Sequence, residues 1–121
     1  MEKVEIGTSN FSTVKFSDNQ GHGGACVAYY ICRAVDKADT PAGEFGFVQF
    51  QNGPIKEAGV NGCHHEDLLA IVIHRLQAFQ LGDFKCSENA LAIEKLEEAT
   101  HCLNQRTEAR QKRGIEGTSE V

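Results

Sequence analysis

Glu66-Asp-Leu-Leu-Ala-Ile-Val-Ile-His-Arg-Leu-Gln-Ala-Phe-Gln80 is the stretch that decides how this chain folds. Leu68/Leu69, Val72, Leu76 and Phe79 recur every three to four residues, the period of one helix face. Asn61 and Gly62 precede the helix, His64 is an indifferent cap, and Glu66 and Asp67 complement the first-turn dipole. Gly82 and Asp83 end it. A second helix opens with Ser87 as N-cap and Glu88 in its first turn. Ala92, Leu96, Ala99 and Leu103 mark its apolar stripe, and Gly114 stops it after Lys112 and Arg113. Two helices of about five to seven turns, joined by a short loop, predict an antiparallel hairpin.

Upstream of Gly53-Pro54 the period changes to that of strands. Val14 and Phe16 alternate with polar neighbours, while Ala25–Val35 and Phe45–Gln51 are rich in β-branched and aromatic residues. Asp39-Thr40-Pro41-Ala42-Gly43 is a turn that closes the last two into a hairpin, and Gln20-Gly21-His22-Gly23-Gly24 is a flexible connection. Residues 1 to 12 carry no pattern and read as a loose arm. The expected class is α+β: a small antiparallel sheet over residues 1–56, then a helical hairpin over 57–121, in one compact unit. So small a sheet and one hairpin share little core, and an uncovered apolar stripe calls for a partner copy.

With 121 residues, 40% hydrophobic and 24% charged, this is the composition of one globular domain. The longest apolar run, Leu68 to Ile73, is too short to span a bilayer, and no basic and apolar leader opens the sequence. Five irregularly spaced cysteines then read as reduced thiols in a cytosol. A net charge of −5 disfavours wholesale binding to DNA. Arg106, Arg110, Lys112 and Arg113 nonetheless fall within eight residues against one acid, Glu108. A local anion site on an acidic protein suits a small phosphorylated ligand.

Arg106, Arg110 and Arg113, spaced i, i+4, i+7, share one helix face. Guanidiniums grip phosphate with paired donors. The same spacing also describes a solvated last turn whose cations suit the helix dipole, and the two readings stay level. Phe79 and Phe84 flank the interhelical loop beside Asn89, offering an aromatic face for a base and an amide for its edge. Taken alone, each ring is better accounted for by packing, Phe79 continuing the apolar stripe and Phe84 plugging the loop. In one hairpin this loop lies at the end opposite Arg106, so a site using both needs two antiparallel subunits. Cys63-His64-His65 and His101-Cys102 have zinc-ligand chemistry, but adjacent ligands strain a tetrahedral site, and no CxxC or HExxH occurs. No metal or cofactor is expected. Neither a P-loop nor GxGxxG is present, and no nucleophile–base pair stands out, so the chain reads as a binder and not an enzyme.

Gly59-Val-Asn-Gly62, Glu66 to Ile73, Arg75-Leu76, Phe79-Gln80, Glu88-Asn-Ala-Leu-Ala92, Lys95-Leu-Glu-Glu-Ala99, Asn104-Gln-Arg-Thr107 and Arg113-Gly-Ile-Glu-Gly117 together resemble the helical hairpin of two phage groups. These are the Thoeris anti-defence sponges and the anti-CBASS cyclic-nucleotide sponges. Tyr29-Tyr30, Cys32 to Lys37 and Val48 to Pro54 resemble the β segment of the Thoeris group, making it the better match. The resemblance implies a protein of the host bacterial cytoplasm that binds glyco-cyclic ADP-ribose, a signal made by a host TIR-domain enzyme, without cleaving it. It further implies a ligand between two subunits of a homodimer or hexamer, with Phe79 stacked on adenine, Asn89 beside it, and Arg106, Arg110 and Arg113 on the pyrophosphate. Some members take cyclic di- or trinucleotides in a second pocket. The sequence departs from the group at Cys63-His64-His65, where Thr-Asn is common, and at His74, where Asp is common. A rival reading, from another class, is a nucleic-acid adaptor using the same Arg face.

Overall fold

The computed structural model describes residues 2–7, 11–17, 20–34 and 44–121, with the side chain of Glu44 excepted. It divides into two units, Met1–Cys63 and His64–Val121. The observed class is the expected α+β one.

The first unit is a meander of four antiparallel strands in the order β1-β2-β3-β4: β1 (Glu2–Lys3), β2 (Ser12–Phe16), β3 (Ala28–Arg33) and β4 (Glu44–Gln49). Val14 lies opposite Ile31, and Tyr30 opposite Phe47. Because side chains alternate across a sheet, Phe16, Tyr29 and Phe50 form a run of rings, with centroids 6.3 and 5.6 Å apart. Tyr30 and Phe47, 5.0 Å apart, pack on the other face. The expected N-terminal loose arm is corrected at Glu2 and Lys3, which pair with Phe16 and Lys15. Two residues are too few to show an alternation, so this strand is held by backbone pairing that leaves no side-chain pattern. The Asp39–Gly43 turn falls outside the described residues.

After β4 the chain makes a knot of amides. Gln51 Nε2 donates to the carbonyls of Gly53 and Gly59, and its Oε1 accepts from the Asn61 N–H. The Asn61 side chain bonds both backbone groups of Asn52, each at 2.7 Å. Within this loop Pro54 precedes a four-residue helix, α1 (Ile55–Ala58), that no periodicity announces. Gly62 is obligatory for lack of space: a Cβ there falls inside the Phe50 carbonyl and 2.7 Å from the Gln51 nitrogen.

The second unit is the hairpin, α2 (His65–Gln80) and α3 (Ser87–Lys112). Asp67 Oδ2 accepts the His64 N–H at 2.8 Å, which supplies half of a capping box where His64 itself is a poor cap. On α3 the expected cap is corrected by one residue. Cys86 is the N-cap, its thiol accepting the Asn89 N–H at 3.4 Å, and Ser87 is the first helical residue. The half-buried row of α3 runs Asn89, Ile93, Leu96, Thr100, Leu103, Thr107, a 4-3-4-3-4 spacing, with Ala92 beside it. Ile93 and Thr100 thus replace the expected Ala99, which is exposed. On α2, Leu69, Ile73 and Leu76 are half-buried while Val72 is exposed. The two threonine hydroxyls donate to the carbonyls four residues back, Leu96 and Leu103. Two helices alone enclose little. Among the described residues Ile115 is the one buried hydrophobic side chain. No helix among them is long and apolar enough to cross a membrane.

Candidate functional site

Residues from the sequence reading gather at the two ends of the hairpin. At the loop end, the Phe79 and Phe84 rings meet edge-on, with centroids 6.2 Å apart and an interplanar angle of 85°. Phe84 is 75% exposed, a large apolar surface for a loop residue. Asn89 Nδ2 donates to the Phe84 carbonyl at 3.4 Å, a long bond. Its Oδ1 and second N–H carry no hydrogen bond among the described residues. An acceptor and a donor side by side are what the edge of an adenine needs.

Two residues shape this end that side-chain patterning did not single out. Gln80 clamps the loop, its Nε2 donating to the Cys86 carbonyl at 3.1 Å and its Oε1 accepting the Cys86 N–H at 3.0 Å. Arg75 reaches back along α2 and lies over the Phe79 ring, 5.0 Å from its centroid. The i, i+4 spacing from Arg75 to Phe79 was the signal available for that contact. Glu88, in the first turn of α3, is held below the ordinary carboxylate range by its own backbone N–H, then by Ser87 and Cys86.

At the other end the three arginines part company. Arg106 is exposed, and no partner engages it among the described residues. Arg110 is only 9% exposed and is gripped by its own chain. Its Nε donates to Glu116 at 3.0 Å, Nη1 to the Glu120 carbonyl at 2.6 Å, and Nη2 to the Ile115 and Thr118 carbonyls, both at 3.2 Å. Four of its five N–H donors are thereby engaged. Arg113, just past the helix, donates to a backbone oxygen of Val121 at 3.0 Å. The shared face foreseen from spacing holds for Arg106 and Arg110, but the returning tail covers the second.

Gly114 makes that return possible. At φ +73° it takes the left-handed turn after the C-cap, so that the Gly114 N–H reaches the Gln111 carbonyl and the Ile115 N–H the Arg110 carbonyl. This is a Schellman ending, with Ile115 as its apolar seal, 7% exposed. Seventeen residues of helix separate Asn89 from Arg106, about 25 Å at 1.5 Å per residue. One hairpin therefore does not bring the aromatic platform and the free guanidinium together. Among the described residues no three His, Cys, Asp or Glu side chains converge as a metal site.

A meander sheet followed by a helical hairpin is the α+β architecture that this chain presents. The family model of the Acb2/Tad1 hairpin domain matches residues 45–108, more than half of the chain, and the chain belongs to that family. The matched span includes Phe79, Asn89 and Arg106, and stops short of Arg110 and Arg113. A protein of Bacillus phage SBSphiJ7 named Thoeris anti-defense 1 is 57% identical over 79 residues, 65% of this chain. The chain spans 56% of that relative's length. Both matches bear out the resemblance read from the sequence.

Proposed function

We propose that this chain is a phage anti-defence sponge. It binds a cyclic ADP-ribose isomer, glyco-cyclic ADP-ribose, made by host TIR-domain enzymes in the bacterial cytoplasm, and holds it unaltered. Thoeris immunity is thereby starved of its signal. The observation that carries the reading is the separation of the two half-sites along α3. An aromatic and amide platform stands at one end, and a guanidinium without a partner among the described residues at the other. Two subunits packed antiparallel bring one hairpin's platform to the other's arginine, which gives a base and a pyrophosphate their separate holds.

In this arrangement Phe79 stacks on the base and Asn89 reads its edge. Arg106 meets the phosphates, while Arg110 and Arg113 flank the same end and hold the tail there. The test is to mix the protein with TIR-enzyme product, remove free ligand, and heat-denature the complex. Recovery of the intact cyclic nucleotide is expected. Release of ADP-ribose or another breakdown product makes the protein an enzyme and overturns the reading.

A further inference from the structure

Arg75 is an exposed cation at the loop end with no acidic partner among the described residues. Its guanidinium rests over Phe79, so its N–H donors remain open to an anion from outside. The platform around it is fixed: Gln80 ties the loop through Cys86, and Asn89 ties it through Phe84. Asp83 and Glu88 stand at the same end with only Lys85 between them, so the loop carries a net negative charge toward an arriving phosphate until Arg75 is counted.

We propose that Arg75 is the phosphate-reading residue of the loop-end platform. It holds a phosphate of the nucleotide whose base lies against Phe79, and so selects a phosphorylated ligand over a bare nucleoside. The inference rests on the sponge reading and adds a guanidinium at the end opposite Arg106. The chemistry favours the exchange. A stacked cation on an exposed ring is weakly held, whereas a guanidinium–phosphate pair is charge-assisted and bidentate. The aliphatic stem can stay on the ring while the head turns to the anion.

The experiment titrates wild type, Arg75→Gln and Arg75→Lys calorimetrically with the TIR-enzyme cyclic ADP-ribose, at about 50 and about 300 mM salt. Arg75→Gln is expected to melt within ~2 °C of wild type, as an exposed substitution does. Its affinity at low salt should fall about tenfold or more, the loss of one charged hydrogen-bonding partner. Its binding should also weaken less steeply with salt than that of wild type. Arg75→Lys keeps the charge without the planar fork and should recover part of the loss; it replaces the glutamine variant if that one unfolds. Affinity of Arg75→Gln within about twofold of wild type at both salts overturns the assignment. So does an equal loss at both salts, which places the effect in ring packing. Either result leaves the sponge reading standing. A wild type that takes up no ligand at either salt removes both.

Discussion

Arg110 and Ile115 are bonded in both directions: the Ile115 N–H donates to the Arg110 carbonyl at 3.1 Å, and the Arg110 guanidinium donates to the Ile115 carbonyl at 3.2 Å. The backbone bond ends the helix. The side-chain bond begins a clasp that continues to Glu116, Thr118 and Glu120.

Arg110→Ala should therefore cost stability before it costs anything else. Losing the clasp is expected to destabilise the fold by about 1–3 kcal/mol, with the half-exposed Glu116 pair contributing little of it. That corresponds to a fall in Tm of roughly 5–15 °C. Arg110→Lys should rescue little, since an ammonium cannot span four acceptors. Thermal melts of the three proteins decide it; an Arg110→Ala variant that melts with wild type contradicts the clasp.

Arg106 presents the opposite case. Arg106→Ala removes no hydrogen bond or ion pair among the described residues, so Tm should hold within ~2 °C. Ligand capture should fall by a factor of tens to thousands, the consequence of losing about 2–5 kcal/mol from a charge-paired pyrophosphate. Lys112→Ala, off the Arg face, is the control and should bind as wild type. Retained capture in Arg106→Ala reduces the basic helix end to a solvated one.

Gln80→Ala should loosen the interhelical loop by freeing the Cys86 N–H and leaving the Cys86 carbonyl to the Ala90 N–H alone, a loss of about 1 kcal/mol. Hydrogen exchange at the Cys86 and Asn89 amides reports it. Unchanged protection there shows that the Cys86 thiol cap alone holds the start of α3.

Glu88 gives the hairpin an acid limb. Its carboxyl is lower in the folded chain than in the unfolded one, so its contribution is complete above the ordinary carboxylate range and is lost as pH falls through the lowered value. The Asn89 and Ala90 amide shifts should titrate in wild type and flatten in Glu88→Gln. Identical acid limbs in the two proteins count against it.

Assembly is the remaining expectation. Ile71, Val72 and Leu91 are 64%, 45% and 54% exposed on the hairpin, a surface that a second copy of the chain would cover. Light scattering at micromolar protein should return a multiple of 13.2 kDa. The single-chain mass removes the shared site between antiparallel subunits.

Both helices were legible in the sequence because a period of three to four survives even in a pair that buries almost nothing. Their starts were less so. Ser87 is the better cap by preference, yet Gln80 fastens Cys86 in the extended position that precedes a helix, and tertiary contact outweighs propensity. The shared face of Arg106 and Arg110 was readable from spacing alone. The different employment of the two was not, because it depends on where the seven residues after Gly114 go. Arg75 was visible as a residue and silent as a role until Phe79 was seen beneath it.

The hydroxyls of Thr100 and Thr107 are already satisfied by their own helix. A neighbour laid along that row meets methyl groups and asks nothing of the oxygens. Neither threonine supplies a polar lock on the axial stagger of one α3 against such a neighbour, so along this part of the row sliding by a turn is resisted by the fit of side chains and by whatever is bound at the ends. A ligand that fastens both ends then acts as a ruler, fixing the length at which two such helices come to rest.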